Sequence, residues 1–174
     1  MKHHCFLIFL LIFSSCAIKK DPGDDGKQII PPPNINCPEN GDCSFEVLKD
    51  VSLQLLYDDS GKLYPEIIPG NKSVIKYQYT RKTEEDVMDA AYDEYVYLEF
   101  DPEEKQIILK DKELQKVKMI FGRICFCKGS MGYFPVREGN LFLFNKDGNL
   151  QLRTTFKVKK IPQVISEIDE NINY

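Results

Sequence analysis

The chain contains no tryptophan, and its two histidines stand at positions 3 and 4. Beyond residue 4 there is no imidazole, which excludes Ser-His-Asp and Cys-His catalysis, histidine zinc sites and histidine pH switching. No Walker or dinucleotide-binding glycine pattern occurs. The stretch "KGSMGYFP" offers only Gly129 and Gly132 and reads as a turn. No apolar run reaches the roughly 20 residues that span a membrane as a helix. Basic residues are not in excess: 23 Lys+Arg face 27 Asp+Glu, for a net charge of −4. A nucleic-acid footprint is therefore not expected. No internal repeat and no cofactor motif is visible.

What the chain does have begins at its first residues. "MKHHCFLIFLLIFSSC" has a basic start at Lys2, an apolar run from Cys5 to Phe13, and Ser14, Ser15 and Cys16 to close it. A run of about ten apolar residues fits the core of a signal peptide. Small residues leading into a cysteine resemble the lipobox of bacterial lipoproteins, with Phe13-Ser14-Ser15-Cys16 at the matching positions. The match departs from the commonest pattern at Phe13, where Leu is usual, and at Ser15, where Gly or Ala is usual. The resemblance implies cleavage between Ser15 and Cys16 and acylation of Cys16, with an ordinary secretory signal as the alternative. Each buried acyl methylene contributes about 0.8 kcal/mol, so two or more chains hold a protein stably on a membrane. The implied address is the bacterial cell envelope, lipid-anchored to a membrane, the outer one in preference. Asp21, Asp24 and Asp25 resemble the acidic export signals of surface-displayed lipoproteins, or equally a solvated linker. Beyond this N-terminus the chain resembles only uncharacterised small, β-rich surface lipoproteins.

The expected organisation is a signal peptide at 1–15, a lipidated tether at 16–36 and one β-rich domain at 37–174. The tether, "CAIKKDPGDDGKQIIPPPNIN", is too polar to offset its ordering entropy, and Pro31-Pro32-Pro33 prefers an extended conformation. As a coil of about twenty residues it would hold the domain some 25 Å from the bilayer. Loss of Lys2 with the signal leaves 22 basic against 27 acidic residues, net −5.

In the domain the dominant period is two. Ile75, Tyr77 and Tyr79 alternate with Val74, Lys76, Gln78 and Thr80, and Val96, Leu98 and Phe100 with Tyr95, Tyr97 and Glu99. Leu150, Leu152, Thr154, Phe156 and Val158 alternate with polar residues. Half-buried antiparallel strands read this way. "DSGK" and "KDGN" supply turn chemistry, Gly148 being suited to the positive φ of a bulged hairpin. Runs near 44–57, 62–68, 73–82, 94–101, 105–110, 117–128, 132–136, 140–145 and 149–158 give about eight or nine strands. An all-β fold follows, an antiparallel β-sandwich with a closed barrel as the alternative. Two segments carry helical signals. "TEEDVMDAA" offers Thr83 as an N-cap, and Ile161, Ile165, Ile168 and Ile172 are spaced for a short C-terminal helix.

Four cysteines remain in the domain, Cys37, Cys43, Cys125 and Cys127. In an exported protein an even count reads first as disulfides. Residues two apart on a strand have Cα atoms about 6.6 Å apart, near the limit for bridging. The favoured scheme therefore joins each of Cys125 and Cys127 to one of Cys37 and Cys43, although three connectivities are open. Closing a loop of roughly 85 residues would stabilise by about 4 kcal/mol. The alternatives are a redox pair next to Arg123 and Lys128, and a four-thiolate zinc site, whose usual spacings these cysteines do not match.

Carboxylates cluster at Glu84, Glu85, Asp86, Asp89, Asp93 and Glu94, and at Asp101, Glu103 and Glu104. A glycosidase needs two carboxyls about 5–10 Å apart across a cleft, whereas loop acids are mostly solvated. The acidic segment lacks the alternating ligands and central Gly of a calcium loop, and no metal site is expected. Tyr95 and Tyr97 could form an exposed pair for sugar stacking or cover a second layer of structure. The composite expectation is a non-catalytic binding module with a protein or glycan partner. A carboxylate hydrolase and an enzyme inhibitor are the alternatives.

Overall fold

The computed structural model describes residues 37–83 and 91–174. Nine strands are arranged in chain order: β1 (Gly41–Tyr57), β2 (Leu63–Arg81), β3 (Tyr92–Phe100), β4 (Gln106–Lys110), β5 (Ile120–Cys125), β6 (Gly132–Pro135), β7 (Gly139–Lys146), β8 (Asn149–Phe156) and β9 (Glu167–Asn173). One 3₁₀ helix, Asp111–Val117, links β4 to β5. The strands form two sheets of order β1-β2-β3-β5-β6 and β4-β7-β8-β9. All pairings are antiparallel. Neither sheet closes on itself, so the architecture is a sandwich and not a barrel.

The alternation read from the sequence supplies the core. Ile75, Tyr77, Tyr79, Val96, Leu98 and Phe100 line the inner face of the first sheet and are buried against Leu141, Leu143, Leu150, Leu152 and Phe156 of the second. Full burial of each such side chain contributes roughly 1.5–3 kcal/mol. Aromatic edges meet within this layer, Phe45 on Tyr77 at 6.5 Å and Tyr79 on Tyr92 at 6.4 Å.

Three expectations need correction. The runs at 62–68 and 73–82 are one strand, β2, interrupted by a bulge at which Val51 pairs with both Pro69 and Lys72. The extra residues kink the β1–β2 hairpin, and its distal half folds across the outer face of its own sheet. There Leu53 and Leu63 cover Val74, Tyr97 and Ile120 in a second apolar cluster. Glu99 and Lys118 clamp it: Leu53 N donates to Glu99 Oε2 at 2.7 Å, and Lys118 Nζ donates to the Leu53 carbonyl at 2.7 Å. The two clamp residues pair with each other at 2.8 Å.

The C-terminal helix is also replaced. Ile168, Glu170 and Ile172 lie two apart on β9, which pairs with β8 through Leu152↔Glu170 and Thr154↔Ile168. A strand there satisfies the free backbone edge of β8, which a helix would leave unpaired. The β7–β8 turn, lastly, is a two-residue hairpin without a bulge. Lys146 pairs with Asn149, and Asp147 and Gly148 both take positive φ, 50° and 79°, as a type I′ turn requires. The helix signal at "TEEDVMDAA" lies outside the described residues except at its ends. The expected signal peptide at 1–15, with Ser15, and the expected tether at 16–36, with Cys16, lie wholly outside them.

Candidate functional site

Both disulfides are local. Cys37 bonds Cys43 with Cα atoms 5.7 Å apart, and Cys125 bonds Cys127 with Cα atoms 5.2 Å apart. The expected cross-linking of the two cysteine pairs is thus overturned, and sheet order gives the reason. Cys43 pairs across to Tyr79, Tyr79 to Glu94 and Glu94 to Arg123, so β1 stands three strands from β5. Three spacings of about 4.8 Å amount to roughly 14 Å, far beyond the reach of a disulfide. The same separation rules out a zinc site shared by all four thiols. The objection to a Cys125–Cys127 bond is removed because the strand ends at Cys125. Cys127 N–H donates to the Cys125 carbonyl at 2.8 Å, a tight turn that draws the two Cα atoms together. In the chain-entropy model, rings this short contribute about 2 kcal/mol each, half of what a long loop would give.

This turn builds the most exposed apolar feature among the described residues. Phe126, held at the apex between the bonded cysteines, is 86% exposed, and Met131 is 49% exposed. The loop is braced at its base. Ser130 N–H donates to the Cys127 carbonyl at 3.4 Å, the Arg123 guanidinium donates to Ser130 Oγ, and Gly129 supplies a φ of 76°. The tip of the folded-over hairpin reaches the same place. Lys62, Cys127, Phe126, Lys128 and Met131 line one groove of about 520 Å³. The groove is therefore apolar with a basic rim.

Arg123 continues the positive character inward. Its guanidinium and that of Arg81 lie over the Tyr92 ring, 5.2 Å and 3.9 Å from its centre, and Tyr92 is the strand neighbour of Cys125. Burial pushes the Tyr92 phenol up, as does its hydrogen bond to Glu94, while Arg123 pulls it down. Tyr92 thus stays a neutral donor to the Glu94 carboxylate.

The carboxylates singled out from sequence do not converge. Asp93 and Glu94 point to opposite faces of β3. Asp93 accepts from Thr80 Oγ1 at 2.6 Å on the outer surface. Glu94, 1% exposed, accepts from Val164 N at 2.8 Å and Ile165 N at 2.7 Å and pins the loop before β9. Asp101 is bound to Lys72 at 2.6 Å, which holds its carboxyl below the usual range. Glu103 and Glu104 are exposed, and Glu84, Glu85, Asp86 and Asp89 lie outside the described residues. Among the described residues no group of three His, Cys, Asp or Glu is placed to hold a metal ion. None of the described helices is long and apolar enough to cross a membrane.

The tyrosines resolve toward covering. Tyr97 is only 8% exposed, stacked on Tyr95 at 6.1 Å and tilted against Tyr133 at 6.3 Å beneath the hairpin arm. Tyr133 crosses over Gly122, where an added Cβ would come within 2.5 Å of its ring. A second hollow, of about 400 Å³, opens between Lys49, Glu103, Lys105 and Asp147. Its rim mixes both charge signs, and Tyr174 closes it by donating to Asn145 Oδ1 at 3.0 Å.

Sequence reasoning missed Phe126, Lys62 and Met131 as a group. A signal for the first was present, because a residue between two strand cysteines faces away from them. Lys62 arrives only through the bulge. No family model, no curated protein and no solved structure matches this chain.

Proposed function

We propose that the protein is a lipoprotein of the bacterial envelope, cleaved after Ser15 and anchored through acylated Cys16. Its domain acts without catalysis, by docking a partner protein onto the Phe126 loop. The observation that carries this reading is the 86% exposure of Phe126 on a turn closed by a disulfide. An apolar ring held in water costs free energy that contact with a partner recovers, and a turn already fixed loses little further entropy on binding. Lys62 and Lys128 on the rim favour a partner whose apolar pocket is bordered by acidic residues. An enzyme with a cleft that receives the ring is one such partner, which keeps the inhibitor version within this reading. The carboxylate hydrolase is not favoured, since Asp93, Glu94 and Asp101 are each committed to hydrogen bonds on separate surfaces.

Full burial of the ring contributes roughly 1.5–3 kcal/mol, so Phe126→Ala should weaken docking by about 10- to 100-fold. The test is site-specific photocrosslinking in the living envelope. A benzophenone side chain at 126 should yield a discrete protein adduct, and one at exposed Thr155 on the opposite sheet should not. Equal labelling at both positions, or none at 126, would refute the docking role.

A further inference from the structure

We infer that Cys125–Cys127 is an exchangeable disulfide, open to a thiol nucleophile at Cys127 Sγ, whereas Cys37–Cys43 is a fixed structural bond. The inference rests on the surroundings of the two bonds and holds whether or not a partner docks at Phe126.

Attack on a disulfide requires access along one sulfur and a place for negative charge on the other. Cys125 and Cys127 both line the groove with Lys62, Lys128 and Met131, and Cys127, half-buried, is the more open of the two to a small thiol. Cys125 is 7% exposed, at the inner end of the bond. The charge that develops there faces a cationic neighbourhood: Arg123 lies two residues back on β5, and Arg81 lies with it over Tyr92, the strand neighbour of Cys125. Cations next to a thiolate make it a better leaving group. Glu94, across from Arg123 on β3, accepts from the Val164 and Ile165 amides and the Tyr92 hydroxyl. The other bond has a mixed setting. Its ring encloses Glu39, which repels an incoming thiolate, while Asp42 is paired with Lys82 at 3.2 Å and Arg81 stands across from Gly41. Ring size points the same way, since a bond between residues two apart restricts the open chain less than one between residues six apart.

The step balances with a dithiol as the reductant. Its thiolate attacks Cys127 Sγ, forming a mixed disulfide and breaking the Cys125–Cys127 bond, whose electron pair leaves on Cys125 Sγ and is protonated from water. The second sulfur of the dithiol then attacks its own partner sulfur and expels the Cys127 thiolate, which is protonated in turn. The protein pair has gained two electrons and two protons, and the dithiol has become a disulfide.

The test treats the purified full chain with reduced glutathione or dithiothreitol, quenches with iodoacetamide and maps alkylation by peptide mass spectrometry. Cys125 and Cys127 should be alkylated at least about tenfold faster than Cys37 and Cys43, with a transient glutathione adduct on Cys127. Exchange of Lys62 and Lys128 for Gln should slow the first pair about threefold or more and leave the second unchanged. Simultaneous reduction of both bonds, earlier loss of Cys37–Cys43, an adduct on Cys125, or no response to the Lys changes would overturn the inference.

Discussion

Replacing Glu94 with Gln should destabilise the sandwich by about 2–4 kcal/mol, because the carboxylate satisfies buried backbone donors that the apolar packing of Ile165 leaves unpaired. Its two oxygens accept from Val164 N at 2.8 Å and Ile165 N at 2.7 Å, and from the Tyr92 hydroxyl. Glutamine retains one oxygen and presents an NH₂ where the other stood. One buried donor then faces another, and an unsatisfied donor costs about 1–3 kcal/mol, with a further kilocalorie or so for the lost charge on the remaining bonds. Against a domain stability of about 5–15 kcal/mol this is a large fraction. In urea the midpoint should fall at unchanged slope, and Tm by roughly 6–15 °C. Amide exchange locates the cause: the Val164 and Ile165 N–H groups should lose protection while those of β3 and β5 keep theirs. A loss below about 0.5 kcal/mol with those two amides still protected would show that burying the charge costs as much as its bonds return.

Two other outcomes follow from the same structure and one from the N-terminal sequence. Leu53→Ala, at a position with no exposure beneath the Glu99–Lys118 clamp, should cost about 2–5 kcal/mol in denaturant titration. Buried Glu170 on β9 has its carboxyl pushed up, first by burial and then by Asp169. A raised acid favours the native state at low pH and loses that contribution as pH climbs above the ordinary glutamate range. Glu170→Gln should therefore be more stable than the native chain at pH 7 and indistinguishable from it near pH 4 in urea titrations; equal stability at both would refute the burial argument. Cys16→Ser should move the protein from the membrane to the soluble fraction on cell fractionation, and retention on the membrane would refute lipid anchoring.

The sandwich was legible because its inner faces follow a strict period of two, from Ile75 to Tyr79 and from Leu150 to Phe156. Where the sequence misled, two periods coincided or a remote demand decided. The isoleucines at 161, 165, 168 and 172 fit a helix, yet 168 and 172 also fit a strand, and the open edge of β8 settles the choice. The disulfides were misassigned because pairing depends on sheet order, and the position of β1 three strands from β5 is not written locally. The hairpin fold-back was hidden as well. Gly70 and Asn71 mark the bulge, but the partners that it serves, Tyr97, Tyr133 and Ile120, come from three later strands. The candidate site inherits that difficulty, since its cations come from Lys62 on one hairpin and Lys128 on another.

Because each sulfur bridge joins near neighbours in the chain, neither one carries information about topology. The order of strands is settled by side-chain burial and register alone, and oxidation merely seals two corners afterwards. A polypeptide with four thiols has three possible pairings, and mispairing is blocked as soon as β2 and β3 separate β1 from β5 within their one sheet. A chain folded in this order needs no isomerase to correct its bonds.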